Sequence, residues 1–158
     1  MCGIFGSRDF NTFDRLYIKN KQRGNFSYGF MYQKKTGVIH IRRRSGQTSL
    51  TGEFAWKHQL DYDLYRGHTQ APTSSQRIFT AKSSHPFEHC NFIVAHNGVL
   101  ENHLELASEH RIDLDKIKVD SQIIPMLMDD LYVGNDVMAI KETCNLLKGI
   151  YSCWVYCK

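Results

Sequence analysis

Apolar residues fall along this chain in short runs and in two distinct periodicities. Residues 2–6 are apolar, which predicts a buried strand whose glycines, Gly3 and Gly6, let the backbone come close to another segment. Phe13, Leu16 and Tyr17 then recur at helical spacing up to the basic end Lys19-Asn20-Lys21, predicting a helix capped by Asn11 or Thr12. Arg23-Gly24-Asn25 reads as a turn. Residues 26–33 and 37–44 read as two strands of a hairpin joined through Lys34-Lys35-Thr36-Gly37. Residues 45–63 are polar and weakly patterned, a loop with a short helix around 54–58. A strand returns at 64–69, with residues 70–75 as the loop at its end.

Residues 92–96 form a near-continuous apolar run, predicting a central buried strand that Asn97-Gly98 ends in a tight turn. Residues 101–110 are amphipathic, with Leu104 and Ala107 on one face. Asp120-Ser121-Gln122 looks like a helix start with Asp120 as its N-cap, continued by Ile123, Ile124, Leu127, Met128 and Leu131. Pro125 within it marks a kink or a late start. The clearest helix is 135–148, capped by Asn135, lined by Val137, Ile140, Cys144 and Leu147, and closed by Gly149. Residues 150–157 are a strand of alternating aromatic and small residues. Ending there, on an uncovered apolar strand, the chain reads as incomplete: a partner or another copy supplies the missing neighbour, or this is a fragment of a longer gene product.

Composition narrows the field. The 158 residues suit a single domain with a real core, and 42% hydrophobic with 23% charged residues is ordinary globular usage. Ser7, Arg8 and Asp9 interrupt the first apolar residues, so no signal peptide is read, and no run of about 18 apolar residues could cross a membrane. A cytoplasmic protein without a membrane partner is expected. Five irregularly spaced cysteines do not form a disulfide framework.

A net charge of +4 is too slight to argue for nucleic acid. Arg42-Arg43-Arg44 projects to both faces of a strand without an interleaved stacking platform, so it reads as a solvated strand end. His85, His89 and Cys90 with Cys153 and Cys157 offer metal ligands on paper. Pro86 forbids an ordinary helix through the first group, and Cys153 and Cys157 would stand about 13 Å apart in a strand. No metal and no cofactor is expected.

The first residues carry candidate chemistry. If Met1 is trimmed, Cys2 offers a thiol and a free α-amine on one residue, a nucleophile with its own base. The amine, with a reference pKa of about 7.7–8.0, can accept the thiol proton directly or through one water. Taken alone, Met-Cys reads rather as a small apolar residue opening a buried strand.

Four separated pieces change that balance: Met1-Cys2-Gly3-Ile4-Phe5-Gly6; Arg66-Gly67-His68-Thr69-Gln70-Ala71-Pro72-Thr73; His96-Asn97-Gly98-Val99-Leu100-Glu101-Asn102; and Asp120-Ser121-Gln122. In this order and spacing the set resembles the N-terminal-nucleophile glutaminase domain of class II glutamine amidotransferases. The nearest likeness is to the glutaminase half of glucosamine-phosphate synthase, with phosphoribosylpyrophosphate amidotransferase and asparagine synthetase as more distant relatives. Arg23-Gly24-Asn25-Phe26-Ser27-Tyr28-Gly29 and His85-Pro86-Phe87 are weaker echoes in the right order.

The resemblance implies an α+β, four-layer αββα N-terminal-nucleophile hydrolase fold, short of its last strands if the chain is truncated. It implies that Cys2 attacks the side-chain carboxamide of glutamine, releasing ammonia through a thioester. Both steps pass through an oxyanion that needs preorganised donors, each worth about 3 kcal/mol. Asn97 would offer its side-chain NH2 and Gly98 its backbone N–H. The competing reading of Asn97-Gly98 is a hairpin turn, against which the helical Glu101-Asn102-His103 argues. Asp120 matches the family acid that grips the α-ammonium group of glutamine, a role it combines with capping only if its second oxygen is free. Thr73 falls where the family offers further substrate contacts.

One departure bears on substrate. The family's His-Thr-Arg segment carries an arginine that clamps the glutamine α-carboxylate, and Gln70 stands there, with Ala71 in place of the following tryptophan. A neutral amide donates one bond where a guanidinium offers a charged fork, so about 1–3 kcal/mol of binding is at stake. Arg66 and Arg77 are the candidates to compensate. The expected activity is glutamine-dependent ammonia production with a synthase or acceptor subunit, or a second copy, as partner. An amidohydrolase acting on another amide, or a catalytically idle regulatory module, are the alternatives.

Overall fold

Antiparallel pairing organises the first half of the chain. In the computed structural model residues 2–46, 62–71 and 80–158 are described, so the helix expected around 54–58 and Thr73 and Arg77 lie outside the described residues. Packing of the Cα trace divides the chain into two units, residues 1–86 and 87–158. No helix among the described residues is long and apolar enough to cross a membrane.

In the first unit, β1 (Gly3–Ser7), β2 (Ser27–Lys34), β3 (Ile39–Ser45) and β4 (Tyr62–Gln70) make an antiparallel sheet in the order β1-β4-β2-β3. Helix α1 (Phe10–Lys21) packs on one face through Phe13 and Tyr17. The register sets Phe5 beside Gly67 and Gly67 beside Phe30, so these alternate positions share the helix-covered face. Phe5, Phe13, Tyr17, Phe30 and Tyr65 form an aromatic core with ring centroids 5.2–6.3 Å apart. Gly67 is required there, because an added Cβ would stand 2.4 Å from the Phe5 ring. The α1 cap is Asp9, not Asn11 or Thr12: Asp9 is extended and its Oδ2 accepts the Thr12 N–H at 2.7 Å, whereas Asn11 and Thr12 already lie within the helix. Hydrogen bonds from Thr12 hold the Asp9 carboxyl below its ordinary pKa.

In the second unit, β5 (Phe87–His89), β6 (Phe92–Leu100) and β7 (Gly149–Cys157) form an antiparallel sheet in that order. Helices α2 (His103–Glu109), α3 (Ile123–Asp130) and α4 (Asp136–Leu146) share one core with it. Phe92, Val94 and Leu100 of β6 and Tyr151, Cys153, Val155 and Cys157 of β7 face those helices. Of the kink and the late start expected from Pro125, the late start occurs, the α-helix beginning at Ile123. A 3-10 turn at Asp120–Gln122 leads into α3, and Pro125 sits in the first turn, where its missing N–H costs nothing.

Two helix faces differ from expectation. In α2 the buried pair is Leu106 and Ala107, within a His103-Leu106-Ala107-His110 stripe, while Leu104 is exposed. In α4 Ala139 and Thr143 are buried, and Val137 and Cys144 face outward, Val137 being 74% exposed. Ala107 of the first expected stripe and Ile140 and Leu147 of the second do lie on the core side, so the spacing was right while the edge of each face was misplaced by about one residue. The Asn135 cap stands as predicted, Oδ1 accepting the Met138 N–H at 3.0 Å.

Replacing Asn135 with Ala should therefore cost about 1 kcal/mol of unfolding free energy. Val137→Ser should change it by less than about 0.5 kcal/mol. Denaturant titration of the variants measures both, and a larger loss for Val137→Ser would restore the predicted face.

Candidate active site

Asn97 and Gly98 are not in a turn. Strand β6 runs through both to Leu100, Asn97 pairing with Ser152 and Gly98 with Tyr151, so the expected strand end at His96 is corrected. Gly98 has φ +148°, and a Cβ there would lie 2.1 Å from the Ile150 carbonyl oxygen. The strand continues because β7 lies against it, a long-range pairing that the local Asn-Gly turn preference cannot register. Alternation puts Gly98 on the helix side and Asn97 on the opposite face with Ile93 and Ala95.

Asp120 fixes the end of that strand. It is not the N-cap of the 3-10 turn, a position held by Val119. Its Oδ2 accepts the Leu100 N–H at 3.0 Å and its Oδ1 accepts the Ser121 hydroxyl at 3.2 Å. Ser121 Oγ also lies 2.7 Å from His96 Nδ1. A hydroxyl has one proton, so if Ser121 donates to Asp120, His96 must carry its proton on Nδ1 and donate to Ser121. Burial lowers the pKa of His96, partly opposed by the Asp120 charge. His96 and Ser121 thus link strand β6, next to Asn97, to the Asp120 turn, a pairing that the motifs by themselves did not announce.

Asn102, the last residue of the same motif, anchors the following segment. It donates to the Leu146 carbonyl at 3.0 Å and accepts the Lys148 N–H at 2.9 Å, tying the start of α2 to the entry of β7.

The first unit supplies the other candidates. Cys2 precedes Gly3, which pairs with Thr69, so alternation sets Cys2 on the helix-free face with Ile4, His68 and Gln70. The thiol is 8% exposed and lies 3.7 Å from the Ala71 carbonyl as a donor. Gln70 is 1% exposed, and its Oε1 accepts the Ser27 hydroxyl at 2.8 Å. Its carbonyl accepts the Phe26 N–H at 3.0 Å. Gly24 lets this loop close on β4, since a Cβ would stand 2.5 Å from the Gln70 carbonyl carbon. Ser27 lies in a segment the sequence singled out, but its pairing with Gln70 was not legible there because the partner is 43 residues away.

The other cysteines are differently placed. Burial and the nearby Cys144 push the Cys153 thiol up to about 12, and burial also raises Cys157, so both stay protonated as core groups of β7.

No family model matches the chain. Individual proteins do. A 7-cyano-7-deazaguanine synthase of Saccharolobus solfataricus is 28% identical over 165 residues, covering 96% of this chain and 35% of that protein. A glutamine–fructose-6-phosphate aminotransferase (isomerizing) of Thermus thermophilus is 28% identical over 158 residues, covering 96% of this chain and 26% of its own length. The solved phosphoribosylpyrophosphate amidotransferase of B. subtilis superposes with a TM-score of 0.69 at 19% identity, over 99% of this chain and 34% of that one. The chain resembles the class II glutamine amidotransferases from end to end. Its fold is the α+β N-terminal-nucleophile fold of that amidotransferase neighbour. This amidotransferase-like chain spans about a quarter to a third of the length of the proteins it matches.

Two measurements test the Asn97-Gly98 half. Gly98→Ala should destabilise by at least the 1–3 kcal/mol, roughly, of a side chain held at such a φ. Because the folded pKa of His96 lies below its ordinary 6.5, the unfolded chain binds the proton first. The His96 contribution is therefore level above about pH 6.5 and lost as pH falls below it. His96→Asn, whose NH2 can replace Nδ1–H toward Ser121, should flatten that part of the stability curve against wild type. An unchanged slope would remove His96 from the account.

Proposed function

We propose that this chain hydrolyses the side-chain amide of glutamine through a thioester on Cys2. The observation that carries the reading is Gly98: a strand-embedded glycine with φ +148° and no room for a side chain, directly after Asn97. That arrangement suits a preorganised oxyanion site, and the end-to-end likeness to glutamine amidotransferases supports the rest. After removal of Met1, the α-amine of Cys2 takes the thiol proton and the sulfur attacks the carboxamide carbon. The Asn97 NH2 and the Gly98 N–H stabilise the tetrahedral oxyanion. Collapse breaks the C–N bond, the amine proton passes to the leaving nitrogen, and ammonia departs. Water then cleaves the thioester, releasing glutamate and restoring the thiol.

Asp120, Gln70 and Thr73 are assigned to substrate. The Asp120 carboxylate already accepts from Leu100 and Ser121, so it meets the α-ammonium through remaining lone pairs while its orientation stays fixed. The relatives are larger, so the ammonia is assigned to a synthase or acceptor, as a further domain, a separate subunit or within a homo-oligomer, in the cytoplasm.

A second reading has its own support. Gln70 is buried with its oxygen turned to Ser27, a poor stand-in for an arginine clamp on a carboxylate. That favours an amide substrate lacking a free α-carboxylate.

Purified protein, with Met1 removal first checked by intact mass, should release ammonia from glutamine, and Cys2→Ala should reduce it to background. Release from other amides but not glutamine would select the second reading. No release from any amide would leave the idle regulatory module. Gln70→Arg should lower the KM for glutamine about tenfold, the worth of a charge-assisted contact; an unchanged KM places the carboxylate elsewhere.

A further inference from the structure

A cluster in the second unit lies outside everything the amide chemistry uses. The end of β5 carries His89, the turn into β6 carries Cys90 and Asn91, and the last turn of α3 carries Asp129. One ligand atom each from His89, Cys90 and Asp129 converge within 4.8 Å of one another. They border an open cleft of about 430 Å³ that His110 and Asp130 also line.

The carboxylate is held in place. Asp129 Oδ1 accepts the Asn91 N–H at 2.9 Å and its Nδ2–H at 2.8 Å, while Oδ2 lies 2.9 Å from His89 Nδ1. The Asp129 side chain is 8% exposed, yet His89, itself 42% exposed, is its one ionisable hydrogen-bond partner among the described residues. A buried carboxylate clamped on one oxygen by an amide and a backbone N–H, with its other oxygen toward an imidazole and a free exposed thiol nearby, is an oriented ligand set.

We propose that His89 Nδ1, Cys90 Sγ and the Asp129 carboxylate bind a zinc-class divalent cation. A tetrahedral zinc with bonds of about 2.3 Å to sulfur and 2.0–2.1 Å to nitrogen or oxygen sets its ligands about 3.5 Å apart. Contraction from 4.8 Å asks only for rotamer adjustments on an exposed turn. Thiolate and imidazole exclude magnesium and calcium as preferred occupants. Thiolate and carboxylate together offset the double positive charge. Binding releases the thiol proton and moves the imidazole proton to Nε2, so that Nδ1 can coordinate. Three protein ligands leave a fourth position to water. His110 lines the cleft but is not among the ligand atoms that converge within 4.8 Å of one another. The sequence offered His85 beside His89 and Cys90 only on paper and was read as holding no metal; the carboxylate that completes the set, Asp129, lies 40 residues from His89.

The test uses the full chain stripped of metal by a chelator. Zinc titrated calorimetrically should bind one ion per chain and raise the melting temperature, and cobalt should give a thiolate-to-cobalt charge-transfer band. Cys90→Ala should abolish that band and, like His89→Ala, weaken zinc binding at least tenfold, while Cys2→Ala retains both signals. Matching melting temperatures of the metal-free proteins show that the variants fold. Absence of stoichiometric binding, or a band and affinity that survive in Cys90→Ala, would overturn the site. The outcome does not depend on amide hydrolysis.

Discussion

The close approach of the Ile150 carbonyl to the Cα of Gly98 is the contact on which the second unit's arrangement depends. Strand β7 pairs with β6 along its whole length only because position 98 has no side chain. Paired in this way, β6 carries Asn97 on one face and hands its helix-side residues to the core formed with α2, α3 and α4. Asp120 then fixes the strand's end through the Leu100 N–H, and Asn102 fixes the segment that leads into β7. Polar side chains that look catalytic in a motif thus also act as clamps on backbone groups that would otherwise lack partners.

The first unit follows the same physical logic. Glycines appear where another backbone must come within van der Waals distance: Gly24 under Gln70 and Ala71, and Gly29 under the His85 carbonyl. The helix-side face is filled by aromatic rings, whereas the other carries Cys2, His68, Gln70 and Ser27, all buried. A buried polar row is costly unless its members bond one another, and the Ser27–Gln70 pair is one such bond. Fixing Gln70 in this way orients its amide and removes the oxygen from any ligand, so the departure from the family arginine is a change in architecture as well as in charge.

The five cysteines, irregular in sequence, are sorted by surroundings. Cys153 is a core residue with a thiol too basic to ionise. Cys2 is buried at the mouth of β1 beside a carbonyl. Cys90 stands on an exposed turn beside an imidazole and an anchored carboxylate. The same side chain thus meets an apolar core, a backbone carbonyl or an imidazole and a carboxylate, and its acidity follows those surroundings.

Local patterning by itself determined the strands of the first sheet, the position of α1 and the Asn135 cap, because each rests on short-range periodicity or on a bond within one helical turn. The motif order was enough to identify the amidotransferase likeness. Tertiary structure alone decided what Asn97-Gly98 is, since a turn-forming dipeptide became strand only when β7 paired with it. It also turned Leu104, Val137 and Cys144 outward, and joined Asp120 to Leu100, Gln70 to Ser27 and Asp129 to His89. Sequence spacing fixes a helical face only to within about one residue, and says nothing of partners twenty to forty positions away. Those partners exist only once the chain has closed its sheets.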